Sequence, residues 1–175
     1  MPGQIYRNVD EFLNSQGNDL ESLRPIYSTS GGFDPLHIGH LRCIQETVRL
    51  ADEDFGTVVI IVNGDGFLER KKEYKFMEEL DRAEIIAGIE GVDHVVVWDD
   101  GSQTVVGAIE NIKPDFFTKG GDRTSATNVP EFDVCKSIGC EVLFNIGGEK
   151  IRASSDLVKN SLKGDEKDGE DTTHI

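Results

Sequence analysis

"SGGFDPLHIGH", Ser30 to His40, sets two of the chain's four histidines three residues apart, directly after a pair of glycines. Three residues is close to one helical turn, so His37 and His40 share a face if a helix begins near Pro35. Glycines beside a nascent helix let a polyanion approach backbone N–H groups, whose dipoles favour negative charge. The stretch reads as a phosphate site with two imidazole donors. It reads equally as a Gly-Gly turn followed by a helix with two incidental histidines. Spacing alone leaves both open.

The flanks are more definite. "IYSTS" (26–30) is β-rich and leads into the glycines, and "GHLRCIQETVRLA" (39–51) places Leu41, Ile44, Val48 and Ala51 at helical spacing. "TVVIIVN" (57–63) is a continuous β-branched run, the mark of a strand buried on both faces. The polar, basic "GDGFLERKKEYK" (64–75) reads as a loop, and "FMEELDRAEIIAGIEG" (76–91) as a helix ending at a glycine. "HVVVW", "DFFTK" and "EVLFNI" read as further strands. "SQTVVGAIENI", with Ser102 as its N-cap, "VPEFDVCKSIG" and "SSDLVKNSL" read as helices. Before Ile26, "YRNVDEFL" predicts a short helix and a polar connector; after Leu162, "KGDEKDGEDTTHI" has no apolar period and reads as a disordered tail.

The division expected is therefore an N-terminal extension (1–24), a core domain (25–162) and an acidic tail (163–175). Five strands alternating with helices imply an α/β fold, a doubly wound five-stranded parallel sheet of Rossmann-like form. Ligands in such sheets bind outside the carboxyl ends of the strands. "GGFDPLHIGH", "NGDGFLERKK", "WDDG", "KGGDR" and "GGEKIRASS" each follow one of the strands, so five distant loops converge on one rim. That convergence favours a functional site.

A net charge of −15 disfavours nucleic acid or an anionic membrane as partner, because the overall field repels both. Eight of the eighteen basic residues nonetheless cluster in the rim segments: Arg70, Lys71, Lys72, Lys75, Lys119, Arg123, Lys150 and Arg152. No apolar run approaches the ~20 residues that span a bilayer. The first residues lack a secretory layout, and three cysteines without CxxC spacing indicate neither a disulfide framework nor a zinc site. A cytoplasmic location is expected. G-x-S-x-G, H-E-x-x-H, G-x-x-x-x-G-K-[ST] and G-x-G-x-x-G are all absent. What remains is glycine turns, imidazoles, lysines, arginines and capping serines. That inventory suits holding a triphosphate during displacement at phosphorus.

"GGFDPLHIGH" resembles the G-x-F-D-x-x-H-x-G-H motif of the HxGH nucleotidyltransferase superfamily, the cytidylyltransferase-like fold. "DRAEIIAGIEGVDHVVVWDD", "IKPDFFTKGGDR" and "IRASSDLV" are similar, in order, to its later blocks, so the resemblance covers about residues 26–160. The "IKPD…KGGD" block most resembles the heptose 1-phosphate adenylyltransferase domain, and the layout also resembles glycerol-3-phosphate cytidylyltransferase. The resemblance implies attack by an acceptor's phosphate oxygen on the α-phosphorus of a nucleoside triphosphate, with Mg²⁺ held mainly by nucleotide phosphates. The partners implied are that triphosphate and a small phosphorylated sugar or polyol, and a homodimer is left open. His37 and His40 match the motif histidines, and Lys72, or Lys71 beside it, the phosphate-binding lysine. Ser30, Gly31, Gly32, Phe33, Lys119, Gly120, Gly121, Asp122, Arg152, Ser154 and Ser155 fall on the nucleotide side. Asp34, Asp65 and Arg82 fall on the acceptor side, an internal ion pair being an equal reading for Arg82. No protein metal ligands are implied. "IRASSDLV" departs from the R-T-x-G-I-S-T-T form of the cytidylyltransferases, which favours ATP over CTP. Arg123 stands where the heptose enzymes carry an aromatic, and Pro35 is more usual in relatives acting on mononucleotides or pantetheine phosphate. His94 reads as the opening residue of a strand and Trp98 as core.

Overall fold

The computed structural model describes residues 2–120 and 131–148. Among them, six parallel strands form one sheet: β1 (Gln4–Tyr6), β2 (Ile26–Gly31), β3 (Thr57–Asn63), β4 (His94–Trp98), β5 (Phe116–Thr118) and β6 (Glu141–Leu143), in the order β1-β4-β3-β2-β5-β6. The helices described are α1 (Val9–Ser15), α2 (Ile38–Glu53), α3 (Asp65–Lys72), α4 (Glu79–Ala87), α5 (Val106–Ile112) and α6 (Phe132–Ile138). No helix among the described residues is long and apolar enough to cross a membrane.

The β-branched run of β3 lies at the centre, with every residue from Val58 to Asn63 buried. Its side chains alternate between two apolar layers. Val59 and Ile61 join Phe12, Phe67, Ile109 and Cys135, whereas Val58, Ile60 and Val62 join Ile44, Ala51, Ala83 and Ile86. Helices α1, α3, α5 and α6 thus cover one face, and α2 and α4 the other. A set of buried hydroxyls locks α2 to the sheet at the site end. Thr29 Oγ1 donates to the Thr118 carbonyl (2.8 Å), and the Thr47 and Thr118 hydroxyls lie 2.8 Å apart.

Among the described residues the sheet has six strands where the sequence predicts five. β1 is too short to show a period-two pattern, and its apolar residues merge in sequence with the helical periodicity of α1. It pairs at the edge with β4, Gln4 facing His94 and Tyr6 facing Val96. The segment expected to be a basic loop is instead largely helical, as α3. Only Phe67 and Leu68 are buried there, too narrow a stripe to register as amphipathic. Ser102 does not cap α5, which begins at Val106; its hydroxyl donates to Asp100 (2.6 Å) and closes a local turn. The helix expected over "SSDLVKNSL" and the tail lie outside the described residues.

His94 opens β4 as expected, half-buried beside the Tyr6 hydroxyl (3.1 Å) and the Phe12 ring (5.2 Å). Burial pushes its pKa below the usual 6.5, although the Asp93 carboxylate opposes the shift. The unfolded chain therefore binds this proton more tightly than the folded chain does. Stability is full above the unfolded value and declines as pH falls from about 6.5 towards the folded pKa. The melting temperature should fall between about pH 7.5 and about pH 5.5, and His94→Gln should remove some of that fall; an unchanged pH profile in the variant would contradict the assignment.

Candidate active site

The turn after β2 is built on close contacts between glycines and rings. A Cβ at Gly31 would lie 2.9 Å from the Phe33 ring, which folds back over it. Phe33, buried and left-handed at φ +52°, sets its ring edge-on to His40, with centroids 5.1 Å apart. Gly39 has the same role at the start of α2, since a Cβ there would lie 2.9 Å from the His37 ring. The glycines of the motif therefore make room for its own aromatic rings.

His37 is the N-cap of α2: its Nδ1 accepts from Gly39 N–H (3.1 Å), while His40 Nδ1 accepts from His37 N–H (3.3 Å). The rings stack with centroids 3.8 Å apart and planes 19° from parallel. With both Nδ1 atoms acting as acceptors, each neutral ring carries its proton on Nε2, as a donor on the far edge. The spacing thus yields a stacked donor pair at the N-terminus of a 16-residue helix, where the macrodipole favours an anion.

Of the two adjacent lysines, the structure brings Lys72 to the turn. Its Nζ would lie 3.8 Å from a Cβ at Gly32. Burial pushes its pKa down, against the attraction of Asp34. Lys71 sits over the Phe67 ring instead (5.7 Å). Other cations of the cluster are engaged internally: Arg70 pairs with Asp99, and Lys75 with Glu78 (3.0 Å) and Asp65 (3.5 Å).

Arg82, Asp65 and Asp34 are occupied by the protein itself. Arg82, 1% exposed, donates to the carbonyls of Met77 (2.9 Å), Gly32 (2.8 Å) and Asn63 (2.5 Å) and pairs with Asp65 (2.8 Å). Asp34 is fully buried, and its two oxygens accept from Phe76 N–H (2.7 Å) and Met77 N–H (2.6 Å). Both side chains tie residues 76–77 to the turn.

On the opposite side, Lys119 N–H donates to the Leu143 carbonyl and the Lys119 carbonyl accepts from Ile146 N–H. This packs segment 145–148 against α2 beside Gly120, where a groove of about 540 Å³ is lined by Arg42, Gln45, Asn145 and Gly147. Ser30 stands half-buried at the end of β2. Gly121, Asp122, Arg123, Lys150, Arg152, Ser154 and Ser155 lie outside the described residues. Trp98 is partly buried against the core, as expected. No sequence signal marks Asn63, at the end of β3; it is 7% exposed and, among the described residues, its Oδ1 has no hydrogen-bond partner.

Removing Arg82 would take the guanidinium donors from three carbonyls and from Asp65 Oδ1, leaving Asp65 with the longer contact to Lys75. Losing one partner of a buried pair typically costs about 3–5 kcal/mol. Arg82→Ala should show that loss in chemical denaturation. Arg82→Lys should recover little of it, because an ammonium cannot reproduce the planar fork. Wild-type stability in Arg82→Lys would refute the clamp.

A family model described as cytidylyltransferase-like matches residues 28–143. The bifunctional protein HldE of Syntrophotalea carbinolica is 35% identical over 121 residues, 68% of this chain and 23% of that protein. HldE of Geobacter sulfurreducens is 31% identical over 162 residues, 90% of this chain and 31% of the relative. The chain thus spans less than a third of these relatives' length. The fold is also that of the lipopolysaccharide core biosynthesis protein from Thermoplasma volcanium GSS1. That match has TM-score 0.58 and 22% identity, and covers 71% of this chain and 98% of the other.

Proposed function

The chain belongs to the cytidylyltransferase-like family, and from that premise we propose that it is a nucleotidyltransferase acting on a small phosphorylated sugar or polyol. An oxygen of the acceptor's phosphate attacks the α-phosphorus of a nucleoside triphosphate. The new P–O bond forms as the bond to the β-phosphate oxygen breaks, and pyrophosphate leaves with that electron pair. The observation that carries this reading is the stacked His37–His40 pair, with both Nδ1 atoms committed and both N–H donors on Nε2 at a helix N-terminus.

In this reading the two Nε2–H groups bind phosphate oxygens as negative charge moves towards pyrophosphate. Lys72, already desolvated, gains most from an arriving phosphate. Ser30, Gly31, Gly32 and Phe33 form the turn under the triphosphate, and Lys119 and Gly120 border the nucleoside with Gly121 and Asp122; Ser154 and Ser155 bind phosphate through their hydroxyls, and Arg152 serves the nucleotide. Lys71 stands by in the second rank. Asp34, Asp65 and Arg82 serve the acceptor side by holding its walls. Among the described residues no group of three or more His, Cys, Asp or Glu is arranged to hold a metal. Mg²⁺ would be held through phosphate oxygens, where it neutralises charge. The adenylyl-type "KGGD" block supports ATP as donor.

A pyrophosphate-release screen of four triphosphates against sugar and polyol phosphates tests the whole reading. ATP should be preferred; a preference for CTP of about tenfold or more in kcat/KM would reverse the choice of donor. Binding of nucleotide without pyrophosphate release would make the protein a sensor.

His37→Ala and His40→Ala should each lose about 10²–10³ in kcat, with smaller changes in nucleotide KM. The double variant should lose less than the product of the single effects, because the rings act as one stack. Variants that turn over normally would remove the pair from the mechanism.

A further inference from the structure

Asn63 follows Val59 and Ile61 in the alternation of β3, so its side chain stands on the α3 side of the sheet. Its register partner in β4 is Trp98, and Gly31 pairs with Val62, which sets Gly32 beside Asn63 at the carboxyl edge. A single nitrogen of Arg82, Nη1, bonds both carbonyls, Gly32 at 2.8 Å and Asn63 at 2.5 Å, and fixes the two backbones side by side. Lys72 Nζ stands over Gly32 on that same side. The ammonium and the Asn63 amide therefore lie over neighbouring strands, whose spacing is about 5 Å. The amide oxygen is buried and has no partner among the described residues. Burying a polar atom unpaired is unfavourable, and what a carbonyl oxygen lacks is a donor.

We propose that Asn63 selects the acceptor: its Oδ1 accepts a hydrogen bond from the hydroxyl on the carbon next to the phosphorylated one, while Lys72 holds the phosphate. This rests on the transfer reading above. The one-strand offset between ammonium and amide matches the short span from a phosphate to its vicinal hydroxyl. Aldose 1-phosphates and glycerol 3-phosphate both carry that group.

The test compares wild type and Asn63→Leu, a substitution of similar shape, on two matched pairs of acceptors. These are glucose 1-phosphate with its 2-deoxy counterpart, and glycerol 3-phosphate with 1,3-propanediol monophosphate. Wild type should prefer the hydroxylated member at least about tenfold in kcat/KM. Asn63→Leu should lose that preference, keep its nucleotide KM, and melt no lower than wild type, because it removes an unpaired polar atom. A retained preference, or a lower melting point with both acceptors falling alike, overturns the proposal. If no combination releases pyrophosphate, the transfer reading fails and calorimetric titration of the second pair decides Asn63. Equal affinities for the two, or no binding of either, overturn its role; a preference present in wild type and absent in Asn63→Leu sustains it.

Discussion

A guanidinium with almost no exposed surface holds the carboxyl edge of the sheet in shape. Arg82 reaches from α4 to the ends of β2 and β3, to the start of α3 and to the loop before its own helix. Burying a cation is costly unless every donor is met. Here three carbonyls and one carboxylate meet it, and the planar fork of arginine allows them to approach from different directions. Asp34 acts on the same loop with the opposite sign, accepting two backbone N–H groups through two oxygens. Between them, cation and anion fix where the turn after β2 meets the loop after α3. The positions of Lys72 and Asn63 follow from that junction.

The histidines depend on a different constraint, which is steric. Phe33 needs the space that Gly31 leaves, His40 rests against Phe33, and His37 lies over Gly39. Each small residue sits under a ring, and each ring orients the next. The local hydrogen bonds then decide which nitrogen of each imidazole carries the proton. Donor geometry is thereby set before any ligand arrives, which is the condition for electrostatic preorganisation.

Much of this was legible in the sequence because it leaves a pattern in side-chain type. The β-branched run of β3, the helical spacing of α2 and the order of the rim blocks all do so; the spacing of the histidine pair gave their shared face but left their role open. β1 and α3 were not: three residues cannot show a period, and two buried side chains do not make a stripe. The motif aspartate was legible as important but not as an internal strut; for Arg82 an internal ion pair was one of two equal readings, but its three carbonyl partners were not legible. Their partners are main-chain carbonyls and N–H groups, which every residue possesses, so no residue type records the pairing. Asn63 was hidden for a related reason. An unpaired atom is visible only once its surroundings are known, and a polar residue ending an apolar strand is the usual composition of a strand end.

The pairing of β1 with β4 joins residues as distant in the chain as Gln4 and His94. On the ribosome β1 therefore has no partner until the segment through Trp98 has emerged. Until the two meet, β4 and the valines at positions 95–97 would present an open edge to any extended chain nearby, the arrangement from which aggregation starts. Once docked, these few residues act as a selvedge, sealing a sheet whose weave would otherwise end on an apolar strand. Their contribution thus extends beyond the finished core, which Tyr6 joins, to the solubility of the chain on the way to it.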